Sequence, residues 1–354
     1  MKGLILSGGK GTRLRPITFS MAKQLVPVAN KPVLFYGLEA MREAGIRDVG
    51  IVVGDTEAEI RAAVGEGSRW SLRVTYIRQD EPLGLAHAVK TARPYLIDEP
   101  FLMYLGDNLI KSGVRALVEE FERERPNATI LLCRVPNPQD FGVAELEGER
   151  VVRLEEKPVQ PRSDYALVGV YLFDATIHPI IEQLSPSKRG ELEITDAIQG
   201  LIESGGHVRS HVVTGWWKDT GTVEAILDAN SLVLEDLTPE AAESATFDQD
   251  SIVHGVTSVG EESVLHRTTV WGPTIIGERC ELYCVQVGPN VSIGDRCVLH
   301  ECTVENSILM SGCCIQGPGL TIRDSLIGSD VTVVGGPAEV RLVLGDSSHV
   351  RLNQ

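Results

Sequence analysis

The sequence predicts an α/β chain of two domains: a mostly parallel sheet covered by helices, followed by a parallel β-helix. Through about residue 237, short aliphatic runs alternate with amphipathic segments, a pattern typical of parallel strands joined by helices. After a polar, acidic stretch, a six-residue pattern recurs five times. With 354 residues, 43% of them hydrophobic, the chain is long enough for two cores.

Five runs of aliphatic and β-branched residues predict the buried strands of the first domain. They are KGLIL, DVGIVVG, RVTYIRQ, FLMYLGD and TILLCRV. Helical patterns separate several of them; KPVLFYGLEAMREAG has Pro32 near its start and Gly45 after its end, as a helix does. The segment TVEAILDANSLVLEDL predicts a closing helix, so we place the two domains at residues 1–240 and 241–354.

The repeats of the second domain share one pattern: aliphatic, Gly, two mostly polar residues, a small or β-branched residue, any residue, then aliphatic. They are VGEESVL at 259–265, IGERCEL at 276–282, VGPNVSI at 287–293, IGDRCVL at 293–299 and IGSDVTV at 327–333. This hexapeptide repeat predicts coils of three short parallel strands. Cys280 and Cys297 occupy the small slot that Ser263 holds in another repeat, so we expect them to face inward.

Charge excludes several classes of partner. A net charge of −16 argues against a general binder of nucleic acids or anionic membranes.

No apolar run approaches the length of about 18 residues that a membrane helix needs, and the start does not read as a secretory signal. We therefore expect a cytoplasmic protein. Its seven cysteines, odd in number and without a matching histidine set, predict neither disulfides nor zinc.

The first 38 residues are basic, in contrast to the rest of the chain. They contain six lysines and arginines and no acidic residue before Glu39. Within them SGGKGTRLRP follows a predicted strand but matches neither the Walker A pattern nor the dinucleotide pattern. Glycines there let backbone N–H groups approach phosphate oxygens, and Arg13 offers a planar fork for an oxyanion. The local charge favours a loop that binds a small polyanion over an ordinary glycine-rich turn.

Six motifs in order carry a family resemblance. SGGKGTRLRPIT with AKQLVPV is followed by LGDN, FGVAE, EEKP, RGELEITD and WWKDTG. This set resembles the sugar-1-phosphate nucleotidylyltransferases, and within them the long-chain glucose-1-phosphate thymidylyltransferase branch. The resemblance implies a Rossmann-like catalytic domain over roughly residues 1–240, followed by a left-handed β-helix.

The resemblance also implies a reaction. A phosphate oxygen of glucose 1-phosphate would attack the α-phosphorus of dTTP, giving dTDP-glucose and pyrophosphate with the help of Mg²⁺. One alternative is a UTP-dependent enzyme acting on glucose or N-acetylglucosamine 1-phosphate; another is a non-catalytic regulatory subunit. The implied partners are small-molecule substrates, dTTP or UTP with a sugar 1-phosphate, without nucleic acid or membrane.

The family motifs assign roles to individual residues. As catalytic residues they give Arg13, Lys23, Asp107, Lys157 and Asp219, with Asp107 and Asp219 as the metal ligands. The nucleotide-binding set is Leu6, Gly8, Gly9, Gly11, Thr12, Arg13, Lys23, Gln24, Gln79, Gly84 and Asp107, in which Gln79 and the Gly84 backbone would contact a pyrimidine edge. The sugar-phosphate set is Gly142, Glu156, Lys157, Val168 and Arg189.

For the β-helix, three interpretations stay open. It is an oligomerisation or regulatory module, an acyltransferase, or a spacer. The acyltransferase interpretation needs a catalytic histidine, and His254, His266, His300 and His349 lie in no motif that we recognise. We expect a homo-oligomer, and we expect deletion from about residue 245 to leave the active site formed, because the catalytic motifs end before residue 222.

Overall fold

The computed structural model describes residues 1–148 and 150–352. The described chain divides into two compact units. The first contains Met1–Lys10 and Val33–Asp219, and the second contains Gly11–Pro32 and the chain from Thr220 onward. The predicted domain boundary after residue 240 stays a prediction. The compact units follow a different division, because residues 11–32 and 220–240 belong to the same unit as the coils.

Strands and helices alternate through the first 237 residues, as the pattern predicts. The strands are β1 (Lys2–Ser7), β2 (Pro27–Val28), β3 (Lys31–Pro32), β4 (Asp48–Val53), β5 (Arg73–Arg78), β6 (Phe101–Leu105), β7 (Asn108–Ile110), β8 (Ala128–Arg134), β9 (Gly142–Glu147), β10 (Arg150–Glu156), β11 (Tyr165–Phe173), β12 (Val208–Val212) and β13 (Trp217–Asp219). The helices are α1 (Val33–Glu43), α2 (Glu57–Val64), α3 (Leu85–Thr91), α4 (Arg93–Leu96), α5 (Arg115–Glu124), α6 (Ile177–Gln183), α7 (Ile194–Glu203) and α8 (Val223–Leu234).

Among the described residues, nine strands form the central sheet of the first unit, in the order β5-β4-β1-β6-β11-β8-β12-β10-β9. The four strands β5, β4, β1 and β6 are mutually parallel, and all five predicted strands are present. β11 runs antiparallel to β6 and β8, so the other half of the sheet is mixed. Apolar side chains fill both faces; Leu4, Ile5, Phe101 and Phe173 are fully buried.

The parallel half of the sheet brings four loops to one edge. Its strands end just before Gly8, Gly54, Gln79 and Gly106. Backbone hydrogen bonds continue past the strands: Gln79 N donates to Val53 O at 2.9 Å, and Gly106 N donates to Leu6 O at 2.9 Å. Because parallel strands share one carboxyl edge, these loops are adjacent.

The second unit contains the repeat domain. Its strands are β14 (Glu240–Ala241), β15 (Thr246–Phe247), β16 (Ile252–His254), β17 (Thr257–Val259), β18 (Val264–His266), β19 (Thr269–Trp271), β20 (Thr274–Ile276), β21 (Glu281–Tyr283), β22 (Gln286–Val287), β23 (Val291–Ile293), β24 (Val298–Glu305), β25 (Ile308–Leu309), β26 (Cys314–Arg323), β27 (Leu326–Ile327), β28 (Thr332–Val334), β29 (Ala338–Val340), β30 (Val343–Leu344) and β31 (His349–Arg351). Successive coils pair in parallel; for example, β17 pairs with β20 and β20 with β23. The predicted parallel β-helix is confirmed.

The repeat positions face the core of the coils. The aliphatic and small positions of all five repeats are buried. Ser263 Oγ donates to Gly277 O at 2.8 Å and accepts from Cys280 N at 2.9 Å, and Cys280 Sγ contacts Gly294 O at 3.1 Å. All seven cysteines are free thiols, and burial raises the pKa of Cys302 to about 12. The small slot therefore serves packing between coils, as predicted for Cys280 and Cys297.

Helix α8 begins at a side-chain cap. Thr222 has extended backbone angles, and its Oγ1 accepts from Ala225 N at 3.2 Å, which satisfies one of the open donors of the first turn.

Among the described residues, no helix has both the length and the apolar character that crossing a membrane would require.

Candidate functional site

The loops after β1, β4 and β5 touch at the carboxyl edge of the first unit. A Cβ added to Gly8 would lie 3.4 Å from Gln79 Oε1, and one added to Gly54 would lie 3.3 Å from Gly8 O. The structure therefore brings together two predicted nucleotide-binding residues, Gly8 and Gln79. Ser7 precedes Gly8; its Oγ is buried and has no hydrogen-bond partner among the described residues. The sequence reasoning did not single out Ser7.

Gln79 is nearly buried, with 8% of its surface exposed, and the nitrogen of its side-chain amide contacts two neighbouring residues. Nε2 donates to Gly84 O at 3.4 Å and lies 2.8 Å from His87 Nδ1. Gly84 has a φ of 106°, and a Cβ there would lie 2.4 Å from Leu192 O, so this position requires glycine. The predicted pair of Gln79 and Gly84 is in contact. The sequence analysis assigned no role to His87, although His87 lies in the same stretch, QDEPLGLAHA.

The two predicted metal ligands lie at the ends of two paired strands, Asp107 just before β7 and Asp219 at the end of β13. Asp107 lies between β6 and β7, and the antiparallel ladder of β7 with β13 pairs Asn108 with Asp219. The ladder thus sets Asp219 opposite the residue that follows Asp107, although about 110 positions separate the two aspartates in sequence. Their side chains are half-buried.

Asn108 supports this pair, and sequence reasoning missed its role. It is buried; its Nδ2 donates to Asp107 Oδ1 at 3.1 Å, and its Oδ1 accepts from Trp217 Nε1 at 2.6 Å and from Gly169 N at 3.2 Å. A Cβ at Gly169 would lie 2.6 Å from Asn108 Oδ1, which explains the glycine. The sequence signal was its place in LGDN; the contact to Trp217 needed the fold.

The donor set at Asp107 and Asp219 fits Mg²⁺, a hard ion that takes oxygen ligands. Among residues 1–148 and 150–352, no group of three or more His, Cys, Asp or Glu side chains could hold a metal. Two carboxylates would leave most of the octahedral positions to water and phosphate oxygens, which is how proteins commonly hold Mg²⁺.

A second cluster forms around Glu156 at the end of β10. The ladder of β9 with β10 pairs Glu156 with Gly142, where a Cβ would lie 2.6 Å from Thr195 Cγ2. Arg189 Nη1 donates to Glu156 Oε1 at 3.2 Å and to Glu193 Oε1 at 3.4 Å, and Thr195 Oγ1 donates to Glu156 Oε2 at 3.2 Å. Three predicted sugar-phosphate residues, Gly142, Glu156 and Arg189, are therefore together.

Glu193 and Thr195 are further members of this cluster, and both lie in the predicted RGELEITD motif. Burial, and then the charge of Glu193, raises the pKa of Glu156, while Lys157 and Arg189 oppose the shift. Lys157 is exposed and has a left-handed φ of 41°. Val168 is fully buried on β11.

Leu6 and Gly9 lie in the first unit, and the other predicted residues, Gly11, Thr12, Arg13, Lys23 and Gln24, belong to the second. Gly11 has a φ of 61°, and a Cβ there would lie 2.9 Å from both Lys23 Cβ and Thr18 Cγ2. Glycine is therefore needed where the loop passes the Lys23 side chain. Arg13 is exposed in a short 3₁₀ turn, Thr12–Leu14.

Gln24 also belongs to this segment and is 1% exposed. Its Oε1 has no hydrogen-bond partner among the described residues. A buried acceptor of this kind is costly unless another group donates to it.

Comparison with known proteins gives concordant matches. A family model described as nucleotidyl transferase matches residues 2–236. The chain is 52% identical to a glucose-1-phosphate thymidylyltransferase of Streptomyces griseus, over 100% of both chains. It is 51% identical to the protein of that name from Streptomyces antibioticus, over 99% of each. A solved structure from Bacillus anthracis, described as a glucose-1-phosphate thymidylyltransferase with a sucrose, has a TM-score of 0.63 and 35% identity, covering 67% of this chain and 96% of that one.

Proposed function

Because this chain belongs to the nucleotidyl transferase family, we propose that it transfers a thymidylyl group from dTTP to glucose 1-phosphate. The observation that carries the proposal is 52% identity over the whole chain to a glucose-1-phosphate thymidylyltransferase. The family predicted from the six motifs is confirmed by these comparisons. They favour neither the uridylyl alternative nor the regulatory-subunit alternative.

The reaction joins two polyanions. An oxygen of the sugar phosphate forms a bond to the α-phosphorus of dTTP, the bond from that phosphorus to the β-phosphate oxygen breaks, and pyrophosphate leaves. Catalysis then consists mainly of alignment and charge neutralisation. On the family motifs, we assign the backbone N–H groups of Gly8, Gly9 and Gly11 to binding the triphosphate, and Arg13 and Lys23 to neutralising the α-phosphate and the leaving pyrophosphate.

Enzymes of this family are generally Mg²⁺-dependent. Asp107 and Asp219 would hold the ion, which supplies charge neutralisation and Lewis acidity at the phosphate oxygens when bound. The protein's own contribution is orientation: the β7–β13 ladder pairs Asp219 with Asn108, and Asn108 donates to Asp107.

The sugar phosphate belongs at the Glu156 cluster. The Glu156 carboxylate can accept hydrogen bonds from two sugar hydroxyls. Arg189 donates to one carboxylate oxygen and Thr195 to the other. We assign Lys157, the next residue along the chain, to the sugar phosphate. We assign Gly142 and Val168 to the sugar through their backbone; a Cβ at Gly142 would lie 2.6 Å from Thr195 Cγ2, so this backbone passes close to the Glu156 cluster.

We also propose that copies associate through the coils in the cytoplasm. Apolar side chains are exposed on the coils, with Ile252 50%, Trp271 47% and Val253 42% exposed. Exposed apolar surface of this kind favours association. Light scattering of the full chain, compared with Trp271→Glu, tests this; a single mass equal to the 38.5 kDa chain would contradict it.

The function is tested by pyrophosphate release over a grid of nucleotides and sugar 1-phosphates. We expect the highest kcat/KM with dTTP and glucose 1-phosphate. Asp107→Asn should lower pyrophosphate release, which ties the measured activity to this site. Asp98→Asn, an exposed change in the same unit, is the matched control. A higher kcat/KM with UTP and N-acetylglucosamine 1-phosphate would overturn the assignment.

A further inference from the structure

His87 stands where it controls the orientation of the Gln79 side chain. Gln79 Nε2 carries two hydrogens. One points to Gly84 O at 3.4 Å, and the other points to His87 Nδ1 at 2.8 Å. Both donors are therefore used inside the protein, and the amide oxygen is left for a ligand. The oxygen lies on the side of the Gly8 loop, 3.4 Å from where a Gly8 Cβ would stand.

The contact with Gly84 O identifies which end of the Gln79 amide is the nitrogen. A carbonyl oxygen only accepts, so the atom that faces Gly84 O must be the nitrogen. This carbonyl is itself held in place, because Ala88 N donates to Gly84 O at 3.2 Å and the residue before it is fixed by the bond from Leu192 N to Leu83 O at 2.7 Å. At 3.4 Å the bond to Gly84 is long, so His87 supplies the shorter of the two contacts that hold the nitrogen.

We propose that His87 is a positioning residue that sets base selectivity by fixing the Gln79 amide with its oxygen toward the nucleotide. This inference rests on the proposed function, in which Gln79 contacts the base. His87 accepts at Nδ1 and carries its proton on Nε2. The amide oxygen then accepts from a base with an N–H at ring position 3, as in thymine and uracil. Cytosine presents a lone pair there, which the oxygen repels.

The test is the ratio of kcat/KM for dTTP to kcat/KM for dCTP, with glucose 1-phosphate held constant. In His87→Ala the amide loses its closer acceptor and can rotate, so we expect this ratio to fall about tenfold, the worth of one hydrogen bond. His87→Leu fills a similar volume without an acceptor and should lower the ratio likewise. His87→Gln retains a side-chain acceptor and should restore it.

Several outcomes separate this role from a merely structural one. His207→Ala removes an exposed histidine of the same unit and should leave the ratio unchanged. If His87→Ala does not fold, the comparison of His87→Leu with His87→Gln decides. A ratio that stays at the wild-type value in folded His87→Ala or His87→Leu overturns the inference, even where both activities drop together. A wild type that does not use dTTP would instead overturn the proposed function.

Discussion

Asn30 donates from its side-chain Nδ2 to the carbonyl oxygen of Ile293, at 2.7 Å. This bond joins the N-terminal segment Gly11–Pro32 to strand β23 of the coils. The same segment makes a second hydrogen bond to the coils, in which Ser20 Oγ donates to Asp346 Oδ2 at 2.7 Å. Since the segment carries Arg13 and Lys23, the β-helix supports residues that we assign to the phosphates.

Asn230 of helix α8 is the buried centre of this support. Its Oδ1 accepts from Ala29 N at 2.8 Å and from Ser292 Oγ at 2.7 Å, and its Nδ2 donates to Asn290 O at 3.4 Å. Asn230→Ala leaves buried groups unpaired, so we expect a loss of about 2 kcal/mol in the free energy of unfolding. Denaturant titration measures it.

Turnover should fall in Asn230→Ala as well, because the segment with Lys23 loses an anchor. Ser231→Ala on the same helix is the matched control, since Ser231 Oγ donates to a backbone oxygen within that helix, Asp228 O. An Asn230→Ala protein of wild-type stability would contradict the importance of this contact.

Deletion of the coils provides a second prediction, and here the structure changes what the sequence suggested. The sequence led us to expect a formed active site after deletion from about residue 245. The deletion removes Ile293 and Asp346, which segment 11–32 contacts on the coils, and Asn290 and Ser292, which contact Asn230. Of the bonds named above, the segment keeps only that of Ala29 N to Asn230 Oδ1. We now expect a truncated protein to turn over at least tenfold more slowly than the full chain.

Pyrophosphate release at saturating substrate, with folding checked by circular dichroism, measures the effect of the deletion. A folded truncation with full-chain turnover would restore the original expectation. Light scattering on the same samples reports separately whether the coils carry assembly.

The carboxylate pair yields a third prediction. Asp107→Asn and Asp219→Asn each remove one negative charge from the proposed Mg²⁺ ligands, so we expect turnover to fall about 100-fold or more, and the Mg²⁺ concentration for half-maximal activity to rise. Titration of activity with Mg²⁺ measures both. Asp98→Asn should behave as wild type. Wild-type kcat in either carboxylate variant would remove that residue from the metal site.

The raised pKa of Glu156 leads to a fourth prediction. Burial and Glu193 shift it above the ordinary glutamate value, so the carboxylate gains its proton at a higher pH than an exposed glutamate does. As pH falls from about 8 to about 5, we expect KM for glucose 1-phosphate to rise, because the protonated group loses acceptor capacity.

Glu156→Gln separates this effect from titration of the substrate's own phosphate, since both proteins experience the latter equally. The variant should have a higher KM at neutral pH and a flatter profile in acid. The sign for stability is opposite to that of a paired carboxylate: the folded state binds the proton more tightly, so Glu156 costs stability as pH rises. An identical KM profile in the two proteins would contradict the assignment.

Local pattern was enough for the strands, the repeats and the family. Periodicity depends on neighbours a few residues apart, so KGLIL and FLMYLGD predicted β1 and β6, and the hexapeptide pattern predicted buried Cys280 and Cys297. The glycines at Gly11 and Gly84 also carried their meaning in the sequence, because only glycine tolerates the backbone conformation and the close approach found there.

Tertiary structure alone decided which distant residues meet. The β7–β13 ladder sets Asp219 beside Asn108, helix α3 brings His87 to Gln79, and Arg189 joins Glu156 to Glu193. The anchoring of residues 11–32 on the coils was likewise invisible in the sequence. Hydrogen bonds between residues tens or hundreds of positions apart leave no periodic signal, because the pairing depends on how the whole chain folds rather than on any local run.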